Sequence, residues 1–392
     1  MNNYFTFNRK NLFEKMENNS LILLYSGKEK QKSGDENYPF CVNKNFYYLT
    51  GLEKPNIYLI MKKTEDGCYS KIITPRFVKS AWVSPSYTIN EVLKISNVDE
   101  CEYFDEPFEL SLNADLKLYT DFKHIEFYNS LSAKENFIDC NSMIVKLRAV
   151  KSPYEIRQIQ KAIEITRKGL INLFSNLSKC DYEYQAQALF EGEIKFNNSQ
   201  DLAFATICAG GKNACTLHYS KNTDRLKSGE LLLLDLGARY NQFSADISRT
   251  IPYNSKFNDL QKKIYNIVLK GQKLGIKLAK PNITIKQINQ ALIEYYFVEL
   301  KELGLVKTIE DVKKYYMHSI GHSLGLDTHD EGLLRDEPLV AGNIITMEPG
   351  LYIPEYKIGI RIEDDVLITE TGNKVLSKHI PKTIEDIEKI VK

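Results

Sequence analysis

Long apolar runs are missing from this chain: none of its 392 residues lies in a stretch near the roughly 20 needed to cross a bilayer. The amino terminus, MNNYFTFNRKNLFEKM, has no apolar signal-peptide core, so no membrane role is expected. An excess of charge is missing too. The 52 Lys and Arg face 51 Asp and Glu, for a net charge of +1, which argues against nucleic acid or an anionic membrane surface as a partner. Cysteine is sparse and unpaired. The seven thiols, Cys41, Cys68, Cys101, Cys140, Cys180, Cys208 and Cys215, are odd in number with no CxxC pair, which fits reduced thiols in a cytoplasm. Each reads first as a free core thiol and only second as a nucleophile. Tryptophan occurs once, as Trp82 in PRFVKSAWVSPSY, where it suits either the amino-terminal core or a cleft or subunit contact. Repeats and low-complexity stretches are absent as well.

The length exceeds what one core of ordinary size holds, so two domains are expected. The boundary falls near residue 150. In KSPYEIRQIQKAIEITRKGLINLF, Ser152 can cap, Pro153 suits the first helical position and Glu155 completes a capping box. Ile156, Ile159, Ile163, Leu170 and Phe174 then recur at helical spacing. Upstream, SLILLYSG and NIYLIMKK read as strands and RKNLFEKMEN as a helix. Downstream, helices are expected at about 257–279 and 283–303, with strands in LAFATICA, NIITMEPGLYI and IGIRIEDDVLIT. The class is α+β, with strands supplying the site residues.

LLLLDLGARYNQFSADISRT, residues 231–250, reads as an antiparallel hairpin with a turn at Tyr240-Asn241. That register sets Asp235 opposite Asp246, on one face, with Cβ atoms about 5 Å apart. A turn centred on Glu355-Tyr356 sets Glu348 of TMEPG opposite Glu363 of RIEDD in the same way. Each close carboxylate pair costs about 4 kcal/mol at 4 Å and an effective dielectric near 20. Apart from Arg361, no Lys or Arg lies within two residues of these four acids, so if the hairpins face each other a metal is the better counter-charge.

Four of only six histidines fall in two short stretches: His218 in CTLHYS, and His318, His322 and His329 in HSIGHSLGLDTHDEG. Four carboxylates plus one imidazole make a hard, oxygen-rich donor set that suits two divalent ions, Mn²⁺ rather than a thiolate-bound zinc. Two metals about 3.5–4 Å apart can share and activate a hydroxide. Taken singly, each motif has a plainer reading: a solvated hairpin, a polar loop, a strand entering a turn, a charged strand end. Their joint occurrence, in order, points to a metal site. His124 and His379 lie outside it and read as structural or surface residues.

The constellation resembles the pita-bread metallopeptidases, whose pattern is Asp, Asp, His, Glu, Glu in chain order. Within them the chain is similar to the aminopeptidase P (Xaa-Pro aminopeptidase) family over essentially its whole length. AGGKNACTLHYSKN, LLLLDLGARY, ADISRT, HSIGHSLGLDTHD, ITMEPGLYI, IGIRIEDDVLIT and LSKHIPKTIEDIE carry the carboxy-terminal match; LILLYSGKEKQKSGDENYPFCVNKNFYYLTGLEKPNIYLIM carries the amino-terminal one. Methionine aminopeptidases lack that amino-terminal domain, and creatinase lacks the full metal set. The resemblance implies a creatinase/prolidase-like α/β domain at 1–148 and a pita-bread catalytic domain at 149–392. It implies that Asp246 and Glu363 bridge two metals, that Asp235 completes one, and that His322 and Glu348 complete the other. Glu348 is then the general base. His218 and His329 stand near the scissile carbonyl and its oxyanion, and His318 lines the proline side. Tyr352 and Arg361 hold the ligands in orientation, and Asp35 of SGDENYPF matches an acidic position of the amino-terminal domain. The implied reaction is attack by a metal-bridged hydroxide on the carbonyl before proline in a peptide, by a cytoplasmic homodimer or homotetramer. The spacing between EPGLYI and GIRIED implies a trimmed loop near the cleft.

Two other functions fit the same residues. A prolidase would cut only dipeptides. A non-catalytic pita-bread binding protein would have lost metal residues, and none is lost here.

Overall fold

The computed structural model describes residues 2–79, 81–82, 85–104, 116–131 and 136–391. They fall into two compact units, Met1–Arg148 and Ala149–Lys392.

In the first unit the run LILL lies buried in the strand Ser20–Tyr25. It is central in a six-stranded mixed sheet ordered Glu100–Phe104, Gly67–Pro75, Tyr58–Thr64, Ser20–Tyr25, Lys117–Thr120, Phe137–Asp139. Ser20–Tyr25 pairs antiparallel with Tyr58–Thr64 and parallel with Lys117–Thr120. Helix Asn2–Lys15 carries Arg9, buried, whose Nη1 donates to Leu49 O at 2.7 Å and ties it to helix Lys44–Thr50. Trp82 is 95% exposed, which excludes a place in the core. Asp35 lies exposed between the short strands Gln31–Ser33 and Glu36–Asn37.

The second unit opens with helix Pro153–Asn176, capped as its sequence dictates: Ser152 Oγ accepts from Glu155 N, and the Glu155 carboxylate accepts from Ser152 N at 2.7 Å. The helices expected at about 257–279 and 283–303 are Asp259–Leu278 and Ile285–Glu302, each with its own capping box. Three small antiparallel sheets carry the functional residues. Ile207–Gly210, Leu231–Leu236 and Ile247–Pro252 form one; Ile344–Met347, Asp364–Ile368 and Asn373–Val375 form another. Gly350–Ile353 and Ile358–Arg361 form the third. LAFATICA is not one strand. Asp201–Leu202 pairs with Ala238–Tyr240, and only Ile207–Gly210 joins the Leu231–Leu236 sheet.

The first hairpin departs from its expected register. Its turn is Asn241-Gln242, with φ of 46° and 67°, one residue later than expected. Asp235 therefore pairs with Ser248, not Asp246. A turn moved by one residue slides the ladder by two, which preserves face parity, so Asp246 remains on the Asp235 side, diagonally placed. At the bend between the two segments a Cβ on Gly237 would lie 1.9 Å from Ala245 O, so only glycine allows this approach. The second hairpin has the expected register. Met347 pairs with Asp364 and Gly350 with Arg361, which leaves Glu348 opposite Glu363.

Candidate metal centre

Glu348 and Glu363 lie where both strands of the second hairpin break. Pro349 has no N–H to continue the ladder, and the chain there makes only the bond from Ile362 N to Pro349 O at 3.3 Å. The backbone amides beside the break bond elsewhere. Glu363 N donates to Ser248 O at 3.1 Å, Glu348 N to Ile320 O at 2.9 Å, and Thr346 N to His322 O at 2.9 Å. These three bonds stitch the second hairpin to the first hairpin and to the histidine segment. Gly321 lets the histidine segment approach: a Cβ there would lie 2.1 Å from Thr346 O.

The result is a convergence. Asp246, His322 and Glu363 each offer a ligand atom within 4.8 Å of the others. His322 Nε2 lies 3.5 Å from Asp246 Oδ2 and 3.4 Å from Glu348 Oε1. Asp235 faces the same cavity of about 650 Å³, which His218, His318, His329 and Arg361 also line. Tyr352 lies behind the wall, fully buried. His124 belongs to the first unit and His379 is exposed on the second.

Orientation follows from the surrounding hydrogen bonds. His322 Nδ1 lies 3.1 Å from Ser323 O, a carbonyl that only accepts, so Nδ1 carries the proton and Nε2 presents its lone pair to the carboxylates. His318 Nδ1 faces Ser319 O at 2.8 Å by the same logic, and its Nε2 lies 2.7 Å from Tyr352 Oη. Arg361 donates to Asp235 Oδ2 at 2.6 Å, to Ser248 Oγ at 2.8 Å and to Tyr352 Oη at 2.7 Å. Ser248 Oγ in turn donates to Glu363 Oε2 at 2.8 Å. The His329 ring sits 4.0 Å from that of His322.

Among the described residues Arg361 is the one guanidinium bonded directly to these side-chain carboxylates, and one such group does not neutralise four. Burial, then the neighbouring acids, push Asp246 and Glu363 well above the usual carboxylate range. Burial pushes Glu348 up to about 8, against the pull of Arg361. Burial holds His318 and His322 down to about 4, so both imidazoles are neutral near pH 7. The Asp235 Oδ1 atom is buried and, among the described residues, has no hydrogen-bond partner. Excess buried negative charge, an orphaned carboxylate oxygen and a neutral imidazole lone pair together fit divalent cations.

Some participants are not conspicuous in the sequence. Lys151, which reads there only as the lead-in to a helix cap, forms a buried ion pair with Asp330 at 3.1 Å, directly beside His329. Arg239 and Arg335 also line the cavity. No local pattern marks either.

Residues 157–370 match the model of metallopeptidase family M24, and residues 5–121 match that of the aminopeptidase P amino-terminal domain. The chain is similar to a Haemophilus influenzae protein named Xaa-Pro aminopeptidase, 36% identical over 98% of this chain and 96% of that one. It is also similar to the Arabidopsis thaliana protein named intermediate cleaving peptidase 55, mitochondrial, 32% identical over 98% of this chain and 81% of that one. Among solved structures, Escherichia coli aminopeptidase P with the inhibitor Pro-Leu superposes with a TM-score of 0.91 at 29% identity, covering 100% of this chain and 98% of that one.

Proposed function

The chain belongs to metallopeptidase family M24 and carries the aminopeptidase P amino-terminal domain, and from that membership we propose that it is a two-metal Xaa-Pro aminopeptidase. It releases the first residue of peptides whose second residue is proline. The observation that carries this reading is the convergence of Asp246, His322 and Glu363, with Asp235 and Glu348 on the same cavity. Asp246, Glu363, Asp235, His322 and Glu348 would hold the two cations. When bound, the cations, Mn²⁺ by the hardness of the donors, supply Lewis-acid charge and lower the pKa of the attacking water.

The rest of the chemistry belongs to side chains. Glu348 takes the proton of the attacking water and passes it to the proline nitrogen, a leaving group that must be protonated. His218 and His329 donate toward the carbonyl oxygen as it gains charge. Arg361 holds Asp235 and Tyr352 in place, and Tyr352 in turn orients His318. Ala203, Phe204, Ala205, Ile207 and Leu217 give the cavity an apolar side suited to a proline ring, which has no N–H to offer.

Digestion of a peptide library with Mn²⁺ present, read by mass, tests the reading. Release of single amino-terminal residues before proline is the expected outcome. Including Ala-Pro beside an Ala-Pro tripeptide separates the rivals: cleavage of the dipeptide alone identifies a prolidase. Peptides without proline serve as the control for proline dependence.

A further inference from the structure

His218 poses a problem of placement. It lines the cavity, yet among the described residues its side chain makes no hydrogen bond, so its position is set by the backbone that carries it. That backbone runs from Gly210, at the end of the Ile207–Gly210 strand, through the short 3-10 turn Gly211–Cys215 to Asp224. Packing of Leu217 and Tyr219 and the bond from Asn222 to Thr206 O hold it locally, and a single fixture joins its two ends.

The fixture is Glu183, the first residue of helix Glu183–Phe196 and fully buried. Its Oε1 accepts from Gly210 N at 2.8 Å and Asn213 Nδ2 at 2.9 Å. Its Oε2 accepts from Tyr219 Oη at 2.7 Å and Asp224 N at 2.9 Å. The Glu183 amide also donates to Asp224 O at 3.0 Å. One carboxylate thus holds both ends of the segment and two side chains inside it, and all of its roughly four acceptor positions are used. Tyr219, which it grips, is the residue next to His218.

We infer that Glu183 is the positioning residue for His218: it clamps residues 210–224 so that the imidazole stands over the cavity. The inference rests on the reading of His218 as a group that meets substrate. It extends that reading to a residue outside the metal ligands and outside the cavity wall. Replacing the carboxylate by an amide leaves one acceptor oxygen and sets an NH₂ against a backbone N–H, at either Gly210 or Asp224. One end of the clamp then loses its bond to the Glu183 side chain.

The test combines Glu183→Gln with His218→Ala in the full chain. Hydrogen exchange in Glu183→Gln is expected to rise in peptides covering 210–224 and to stay unchanged in those covering 231–250 and 318–330. Mn²⁺ affinity is expected to stay within about twofold, since no proposed ligand is touched. The kcat/KM for an Ala-Pro tripeptide is expected to fall about tenfold to a hundredfold, the scale of a displaced catalytic group. In the His218→Ala background the same substitution is expected to cost less than about threefold, because residues acting as one unit are not additive. Equal losses in both backgrounds, a loss of Mn²⁺ affinity, or unchanged exchange at 210–224 would each overturn the inference. Tyr219→Phe removes one of the four donors and carries the same measurements if Glu183→Gln does not fold. A wild-type protein that binds Mn²⁺ yet cuts no peptide would refute the peptidase reading, while the exchange measurement would still decide whether Glu183 holds the segment.

Discussion

The least obvious contact in the centre is between single residues. Arg361 spans to Asp235 across 126 positions of chain and removes one negative charge from a cluster of four. It does so with a planar fork that also reaches Ser248 and Tyr352. A lysine keeps the charge but cannot make all three bonds. Arg361→Lys is therefore expected to lower activity by about 10- to 100-fold, the usual scale for a residue that orients metal ligands, with a smaller change in global stability. Steady-state kinetics beside thermal unfolding checks this. Asp246 allows a sharper expectation. Asp246→Ala removes a carboxylate from the most compact donor group, and metal analysis of the Mn²⁺-loaded variant should find less than the full complement. An unchanged metal content would exclude Asp246 as a ligand. At this scale the sequence was informative about residue types. It was silent about Arg361 and Asp235 meeting, because nothing local encodes a contact across so much chain.

Among elements, the histidine segment is held from outside by the buried Lys151–Asp330 pair, each side chain 1% exposed. Asp330 N also donates to Ser323 O at 2.9 Å, which closes the loop that carries His329 back onto the residue after His322. Removing one partner leaves the other's buried charge without this counter-ion. Lys151→Met is expected to cost about 3–5 kcal/mol in urea unfolding, and adding Asp330→Leu to recover much of it, because the apolar pair strands no charge. No recovery in the double variant would show that the pair contributes more than charge compensation. Element boundaries were legible where local chemistry is decisive: the Ser152–Glu155 capping box sets the start of its helix, and the two later helices lie within a few residues of the periodic pattern. The second hairpin's register was legible because one turn, Pro354–Tyr356, separates two apolar runs. The first slipped because Tyr240-Asn241 and Asn241-Gln242 offer adjacent places to turn on either side of Asn241.

For the molecule as a whole, the acid cluster couples folding to pH and to metal. The folded-state pKa of Glu348, near 8, lies above its ordinary 4.5, and Asp246 and Glu363 are raised as well. The metal-free fold therefore binds more protons than the unfolded chain, and that stabilisation is lost as pH rises through the folded-state values. His318 and His322, lowered from 6.5 to about 4, act the other way and add stability as pH rises between those limits. Above pH 6.5 the histidines no longer contribute. Between about pH 6.5 and 8 the Tm of chelator-treated protein is expected to fall, and Mn²⁺ to raise it most at the alkaline end, where protons no longer compete for the ligands. A Tm that is flat over this range without metal would refute the convergence of charge.

By itself the sequence determined the chemistry available and the local order: which side chains can ligate, where helices begin, which strand faces carry acids. Those follow from interactions within a few residues, where composition and spacing act directly. Only the tertiary structure decided that Ser248, Ile320 and His322 bond to the backbone beside Glu363 and Glu348, that Arg361 reaches Asp235, and that Glu183 grips both ends of the His218 segment. Each of these joins segments far apart in the chain. Such contacts form only when packing brings the segments together and buried polar groups must find partners, a condition no single stretch of sequence contains.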